Sequence, residues 1–304
     1  MNTDRMKNSA LLFLTAAIWG VAFVAQRVGM DYVGPFTFNA VRFLLGGIVL
    51  LPFLMWKRRK ERAAAGWREE TREEKRARRR ITLIGGICCG LALSTASLLQ
   101  QKGILHTTVA KAGFITALYI IIVPVMGLFF RKKVRRLVWV SVALAVAGMY
   151  LLCIKESFAI GKGDFFVFLC AIVFSIHILI IDYFSPKADG VALSCIQFYT
   201  SSIICGAGMF LLETPSWQAI VSGWMPILYA GILSCGVAYT LQIIGQKGMD
   251  PTVASLILSL ESVISLIAGW ILLGQKLDLR EIMGCVLAFA AIILAQLPER
   301  RPGM

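Results

Sequence analysis

Apolar residues in this chain of 304 residues form long stretches instead of alternating with polar residues. A helix needs about 20 such residues to cross the hydrocarbon core of a membrane. Ten stretches have roughly this length, and the first is too long for a signal peptide. We predict ten transmembrane helices at about 9–29, 36–56, 81–101, 108–130, 137–154, 164–184, 191–212, 223–245, 252–273 and 279–297.

A repeated pattern divides these helices into two halves. Thr95 and Thr240 lie 145 residues apart, and each is followed, after five residues, by Gln-Lys-Gly. Arg42 and Gln197, each followed by Phe, occupy corresponding places in the second helix of each half. Each half therefore holds five helices. Because five is odd, the second half is expected to be inverted relative to the first, as in many secondary transporters.

Composition and charge agree with a membrane protein. Hydrophobic residues make up 58% of the chain, more than a soluble domain of this length needs, and the net charge is +14. The basic residues cluster at 57–80 and 131–136, beside apolar helices, so we expect contacts with membrane lipids and no binding of nucleic acid. With the N-terminus in the cytoplasm, 23 basic residues fall inside and six outside. This asymmetry predicts that both termini are cytoplasmic.

Motifs for enzymatic chemistry are not evident. The eight cysteines fall in or at the ends of predicted helices without metal-ligand spacing, so we expect them to be packing residues. The glycine pairs at 46–47 and 85–86 are not followed by Lys-Ser or Lys-Thr, so no phosphate-binding loop is predicted. The sequence predicts neither a cofactor, a metal site nor enzymatic activity.

Three short segments carry a family resemblance. They are Ala-Ile-Trp-Gly at 17–20, Val-Arg-Phe-Leu at 41–44 and Leu-Leu-Gly-Gln-Lys-Leu at 272–277, and with them the chain resembles the EamA-type branch of the drug/metabolite transporter superfamily. The resemblance covers two tandem repeats at 9–153 and 164–296. It implies an all-α integral membrane protein with two inverted five-helix repeats, and export of a small organic metabolite. Gln275 departs from the family, which commonly has Glu there.

Ionisable residues inside predicted helices are costly to bury, so they are candidates for substrate binding or ion coupling. Glu261 lies about ten residues into the ninth helix, close to the bilayer midplane. Burial favours a protonated carboxyl, which suits a group that alternately takes up and releases a proton. The alternative is a structural Glu bonded to serines of its own helix. His177 in the sixth helix is a second candidate for proton relay, or else a packing residue.

Further candidates lie near the middle of the helices. Arg42 is placed to neutralise a substrate carboxylate, to pair with Glu261 or to extend to the outer surface. Aromatic and hydroxyl side chains are predicted to line a pocket for an amphipathic solute, with packing as the alternative. The main members of this set are Trp19, Tyr119, Tyr239, Thr95 and Thr240, with Phe23, Ser94, Phe174 and Gln242 beside them.

These observations predict a secondary transporter of the inner (plasma) membrane. It is expected to move a small-molecule substrate, such as an amino acid or related solute, by alternating access around a midplane site. Proton coupling is included in this hypothesis. The alternatives are a membrane receptor or scaffold and a lipid-modifying membrane enzyme. Pairs of small residues at 16 and 20, 86 and 90, and 284 and 288 allow close helix packing, within one chain or in a homodimer.

Overall fold

The computed structural model describes residues 3–63, 71–107, 109–129, 136–153, 161–273 and 279–297, and all regular structure among them is helical. The helices of the first half are α1 (Thr3–Gly29), α2 (Pro35–Ala63), α3 (Arg72–Ile104), α4 (Val109–Thr116), α5 (Tyr119–Phe129) and α6 (Arg136–Cys153). Those of the second half are α7 (Lys162–Phe184), α8 (Gly190–Leu212), α9 (Trp217–Ser222), α10 (Trp224–Leu228), a π-helix (Tyr229–Tyr239), α11 (Thr240–Gln246), α12 (Pro251–Leu258), α13 (Leu260–Leu273) and α14 (Leu279–Gln296).

The lengths of the helices confirm an all-α membrane protein. Eight helical segments in the described part of the chain are long and apolar enough to cross a membrane. Two shorter apolar helices, Arg136–Gly148 and Ile282–Ala295, lie where the fifth and tenth spans were predicted. Only eight of the ten predicted spans therefore reach membrane-crossing length here.

The basic segment predicted as a loop at 57–80 is largely helical. α2 continues to Ala63, and α3 begins at Arg72, so the described part of this segment extends two membrane helices. The Thr71 hydroxyl accepts a hydrogen bond from the Glu74 backbone N–H, and the Glu74 carboxylate accepts one from the Thr71 backbone N–H. This capping box explains why α3 starts well before its apolar stretch. Residues 64–70 lie outside the described residues.

The fourth and ninth predicted helices are each broken near the middle. The first break falls at 117–118, between α4 and α5, and the second falls at Ser259, between α12 and α13. In the second break, the hydroxyls of Ser259 and Ser262 donate to the carbonyls of Leu256 and Ser259, three residues earlier. Such local bonds compete with the helical ladder and bend helices. The two breaks place residues 119 and 261 at the starts of new helices.

Two capping carboxylates show that α2 and α8 run in opposite directions. The Glu213 carboxylate, just after α8, accepts hydrogen bonds from the backbone N–H groups of Phe36 and Thr37 at the start of α2 (2.9 and 2.8 Å). At the other end, Asp189 caps the first turn of α8 and contacts Lys57 near the end of α2 at 2.6 Å. These two corresponding helices are therefore antiparallel, as the inverted repeat requires.

The other helix contacts repeat when the halves are exchanged. In the first half, α3 packs against α7 and α8. Correspondingly, the π-helix and α11 of the second half pack against α1, and the π-helix also packs against α2. Similarly, α1 contacts α13, while α7 contacts α4 and α5. The helices α6 and α14, the last of each half, pack against one another. This symmetry supports two inverted repeats, while the repeat boundaries at 9–153 and 164–296 stay predictions.

Small residues allow close contacts between these helices. A Cβ atom added to Gly20 would lie 2.6 Å from the Cβ of Ile264, and one added to Gly86 would lie 2.5 Å from the Cβ of Ile196. Both distances are too short for larger side chains. The small residues at these positions therefore serve packing within the chain, and the homodimer stays a prediction.

Candidate functional site

A cavity lies between the two halves. The first half supplies Trp19, Phe23, Gln26, Arg42, Gln100, Thr116 and Tyr119, and the second supplies Phe174, Ile178, Ser234, Tyr239, Gln242, Leu258 and Glu261. About 450 Å³ of space free of protein atoms lies in it and at its mouth, open solvent included, but only about 30 Å³ is open to the centre of a water-sized molecule. That is room for about two waters. The cavity is therefore contracted in this conformation.

The carboxyl group of Glu261 lies in this cavity and is held across the two halves. Only 4% of Glu261 is exposed, and the Tyr119 hydroxyl donates a hydrogen bond of 2.9 Å to its Oε1 atom. Glu261 is the second residue of α13, and Tyr119 is the first residue of α5. Glu261 therefore lies in the first turn of α13, where the end of the helix carries partial positive charge.

The serines around Glu261 have other partners. The hydroxyls of Ser259, Ser262 and Ser265 donate to carbonyls of their own segment. The hydrogen bond recorded for the carboxylate comes instead from Tyr119. The serines predicted as partners of a structural Glu261 are therefore not its partners, and the role of Glu261 in structure or in coupling stays a prediction.

Arg42 lines the same cavity and is 1% exposed. Its guanidinium lies over the rings of Phe38 and Phe43, at 5.5 and 4.9 Å from their centroids. Its Nε and Nη2 atoms have no hydrogen-bond partner among the described residues. The predicted extension of Arg42 to the surface is wrong, and the structure records no ion pair between Arg42 and Glu261. A buried guanidinium with two unused donors is suited to an anionic ligand.

Aromatic side chains form one wall of the cavity. The rings of Trp19 and Tyr239 lie 4.5 Å apart between centroids, at 56°. Trp19 donates through Nε1 to the backbone carbonyl of Ser234 at 3.4 Å. Ser234 and Tyr239 belong to the π-helix, a form of helix that is rare and frequent at functional sites. This wall is suited to the apolar part of an organic solute.

Three predicted site residues lie outside the cavity lining. The imidazole of His177 is buried, with Nε2 3.1 Å from Oε1 of Gln197 and its ring edge-on to Tyr239 at 6.0 Å. Thr240 is buried, and its hydroxyl has no partner among the described residues. Thr95 is exposed on the outside of α3, where its hydroxyl donates to the Leu91 carbonyl. The prediction that Thr95 lines the pocket is therefore wrong.

Several polar side chains of the cavity were not predicted. Gln100 donates to the Thr116 hydroxyl at 3.2 Å, joining α3 to α4. Gln26 also lines the cavity, and so does Gln242, which was predicted. The Oε1 atoms of both side chains have no hydrogen-bond partner among the described residues. An amide inside an apolar stretch is the sequence signal that marks such positions. These carbonyl oxygens are available to accept hydrogen bonds from a solute.

Comparison with known proteins places the chain among transporters. The model of the EamA-like transporter family matches residues 7–154 and again 161–297. A relative named "Uncharacterized transporter" from Archaeoglobus fulgidus is 28% identical over 94% of this chain and 84% of its own length. The "Uncharacterized inner membrane transporter YedA" of Escherichia coli strain K12 is 22% identical, over 93% of this chain and 89% of its own length.

A solved crystal structure has the same fold. It superposes with a TM-score of 0.76 at 16% sequence identity, covering 96% of both chains. At this identity the similarity concerns the fold alone.

Proposed function

The chain belongs to the EamA-like transporter family, and on that premise we propose that it is a secondary transporter of a small organic metabolite such as an amino acid or related solute. Its identity as a multi-pass membrane transporter follows from the family and from the named relatives. The substrate, the outward direction and the coupling to protons belong to the proposal.

One observation carries the substrate class. The basic Arg42 and the acidic Glu261 line one buried cavity, and no ion pair between them is found among the contacts of the described residues. A zwitterionic solute fits between them, because its carboxylate accepts from the guanidinium while its ammonium group donates to Glu261. The ring pair of Trp19 and Tyr239 offers an apolar surface for the remainder of the solute.

The geometry also supports alternating access. The cavity is formed between the two inverted halves, and a pocket for a small organic ligand needs about 300 Å³ or more. Since the present open space admits only water-sized groups, the halves must move apart to admit a solute on either side. The mid-helix breaks at 117–118 and Ser259 border the cavity and are suited to act as bending points.

Proton coupling is assigned to Glu261. It lies in the cavity where solute is expected, so its carboxyl can exchange a proton for a cationic group of the solute. In this scheme a proton enters from outside and takes the place of the solute at Glu261. The solute then leaves to the outside. His177, which contacts Tyr239 from outside the cavity, is placed to support this site through packing.

Flux into proteoliposomes tests the proposal. Metabolites that differ between cells with and without the protein are supplied as labelled solutes, with and without a pH gradient. Wild-type protein is expected to accumulate one of them in response to the gradient. Glu261→Gln should still exchange that solute but fail to accumulate it, because the amide keeps the hydrogen bonding and loses the titration. Glu73→Gln, an exposed acid on α3, is the matched control.

Two results would contradict the proposal. Absence of flux for every metabolite pool would favour the receptor or scaffold alternative. Unchanged accumulation by Glu261→Gln, with unchanged pH dependence, would remove the proton role of Glu261.

Orientation in the inner membrane is part of the same proposal. We expect both termini to be cytoplasmic, which places Lys187 inside and Ser216, at the opposite end of α8, outside. Both residues are exposed. In a background without native cysteines, an impermeant thiol reagent should label Ser216→Cys but not Lys187→Cys in intact cells. The reverse labelling would invert the assignment.

A further inference from the structure

A second, larger pocket lies at the predicted cytoplasmic end of the molecule. Its space open to the centre of a water-sized molecule is about 450 Å³, which is much greater than that of the central cavity. We call it the basic pocket, and its polar lining is formed by Lys57, Arg78, Ser185, Lys187, Asp189 and Lys247. These residues come from both halves, at the end of α2, the start of α3, the turn between α7 and α8, and the end of α11.

The charge of this lining favours an anion. Four of the six polar side chains are basic and one is acidic. The acidic one, Asp189, already accepts hydrogen bonds from Lys57 at 2.6 Å and from the Ala192 backbone N–H at 2.9 Å. Its charge is therefore balanced within the protein. Lys187 and Lys247 add further positive charge to the same wall, and the Lys187 ammonium group also lies over the Tyr183 ring, 3.3 Å from its centroid.

A buried hydroxyl gives a second, independent sign of a ligand. Ser185 is 1% exposed and lines the pocket, yet its Oγ atom has no hydrogen-bond partner among the described residues. Buried hydroxyls are nearly always paired in native proteins, because leaving them unpaired is costly. A phosphate oxygen in the pocket would accept from this hydroxyl and from the surrounding cations.

The position of the pocket favours a lipid over a soluble phosphate. Ile243 and Ile244 form part of its wall, which provides an apolar surface for a glycerol group or the first part of an acyl chain. At the same end of the molecule, Tyr183 and Trp56 are 60% and 55% exposed. Exposed aromatic residues at helix ends are typical of the membrane interface. The pocket therefore lies at the depth of lipid headgroups.

We propose that the basic pocket binds the phosphate group of an anionic membrane lipid. The headgroup contacts Lys57 and Arg78 of the first half together with Ser185, Lys187 and Lys247 of the second. It therefore bridges the two halves at one end of the molecule. This assignment is independent of the transported solute and extends the family's transport activity with a lipid site.

Native mass spectrometry of the full chain in detergent tests this site, with phosphatidylglycerol and phosphatidylcholine offered in equal amounts. Wild-type protein should retain one phosphatidylglycerol in preference to phosphatidylcholine. The double variant Lys187→Gln/Lys247→Gln should lower this affinity about tenfold or more, since each cation near a membrane surface contributes to binding anionic lipid. Ser185→Ala should lower it about threefold, as expected for the loss of one hydrogen bond.

The double variant Arg76→Gln/Arg79→Gln is the matched control. It removes the same charge from exposed positions on α3 that do not line the pocket. An equal loss of lipid in this control would overturn the site, because it would show general attraction to the basic cluster. Displacement of the lipid by millimolar inorganic phosphate or glycerol phosphate would overturn the lipid assignment. Wild-type protein that binds phosphatidylglycerol no better than phosphatidylcholine would also overturn the lipid assignment.

Discussion

The second helices of the two halves place different side chains at corresponding positions. Phe43 of α2 and Phe198 of α8 stack on one another, with ring centroids 6.2 Å apart, where the two antiparallel helices meet. The residues just before them diverge. Arg42 lines the central cavity with two unused donors, whereas Gln197 is bonded to His177 outside it. The scaffold is therefore repeated, but at this position only the first half supplies a charged side chain.

The broken helices show the same division. Both halves interrupt a membrane helix near its middle, at 117–118 and at Ser259. After the break, the first half places the phenol of Tyr119 and the second half the carboxyl of Glu261, and these two groups meet at 2.9 Å. An inverted repeat thus brings two different residues from equivalent regions to one point. This asymmetry is what a site for a solute with distinct ends requires.

The largest expected effect comes from replacing Arg42 with glutamine, the residue type at the corresponding position of the second half, Gln197. Arg42→Gln should reduce solute flux about 100-fold, because a charge-assisted contact with the solute is lost. The thermal midpoint of the purified protein should not fall, because the substitution removes a buried charge that has no counter-ion among the described residues. Flux in proteoliposomes and thermal unfolding are measured on the same preparation.

Gln197→Asn is the reciprocal control. It shortens the side chain that contacts His177, so we expect lower thermal stability and a flux reduced by less than about threefold, since Gln197 lies outside the cavity. Equal flux losses in the two variants would contradict the division between Arg42 as a solute-binding residue and Gln197 as a packing residue.

Removal of the Tyr119 hydroxyl should have a smaller effect. Tyr119→Phe deletes the donor that positions Glu261, and we expect a roughly fivefold loss of flux together with about 1 kcal/mol of stability. Tyr229→Phe is matched to it, because Tyr229 also donates a hydrogen bond of 3.0 Å across helices, to the Ile18 carbonyl, but outside the cavity lining. Tyr229→Phe should lose a similar amount of stability and should keep the wild-type flux. Reduced flux in both variants would indicate a structural effect alone.

The sequence predicted the membrane fold well because hydropathy directly reflects which segments can enter lipid. It predicted neither break. The first lies in an apolar stretch four residues after Gly113 and six before Pro124, with neither at the break itself, and the second depends on serine hydroxyls bonding to nearby carbonyls. The basic start of α3 was also missed, although Thr71 and Glu74 have the spacing of a capping box. Apolar length alone marks the part of a helix inside the membrane, not its extension beyond it.

The depth of a residue along its helix was easier to predict than the face of the helix on which its side chain lies. Trp19, Arg42, Tyr119, Tyr239 and Glu261 were predicted for the site and do line the cavity. Their roles in binding or coupling stay predictions. Thr95 has a suitable depth but points outward, while the preceding Ser94 is 1% exposed. One residue turns a helix by about 100°, so a repeat motif that fixes depth does not fix the face.

The two carboxylates that tie α2 to α8 should affect stability without changing solute recognition. Glu213→Gln and Asp189→Asn should each lower the free energy of unfolding by about 1–2 kcal/mol, because each removes an anion from a helix N-terminus. Asp31→Asn, which removes an exposed partner of Arg27, should change it by less than about 0.5 kcal/mol. Unfolding is followed in mixed detergent micelles.

The pH dependence of the Asp189 contribution follows from its pKa. Burial acts to raise this pKa, but the hydrogen bonds from Lys57 and from backbone N–H groups outweigh it and hold the pKa below its ordinary value. A lowered pKa contributes stability at pH values above the ordinary pKa of about 3.9, and this is lost as the pH falls through the folded pKa. The deficit of Asp189→Asn should therefore be equal at pH 5 and pH 8. A deficit that shrinks within that window would contradict the ion pair.

The smallest expected effects concern the two threonines of the repeated pattern. Thr240→Val removes a buried hydroxyl without a described partner, so we expect the stability to rise by up to about 1 kcal/mol. Thr95→Val replaces an exposed hydroxyl that is bonded within its own helix, so the stability should change by less than about 0.5 kcal/mol. Because neither side chain lines the cavity, both variants should transport at the wild-type rate. A specific loss of flux in Thr240→Val, with unchanged stability, would show that the site extends along α11 beyond Tyr239.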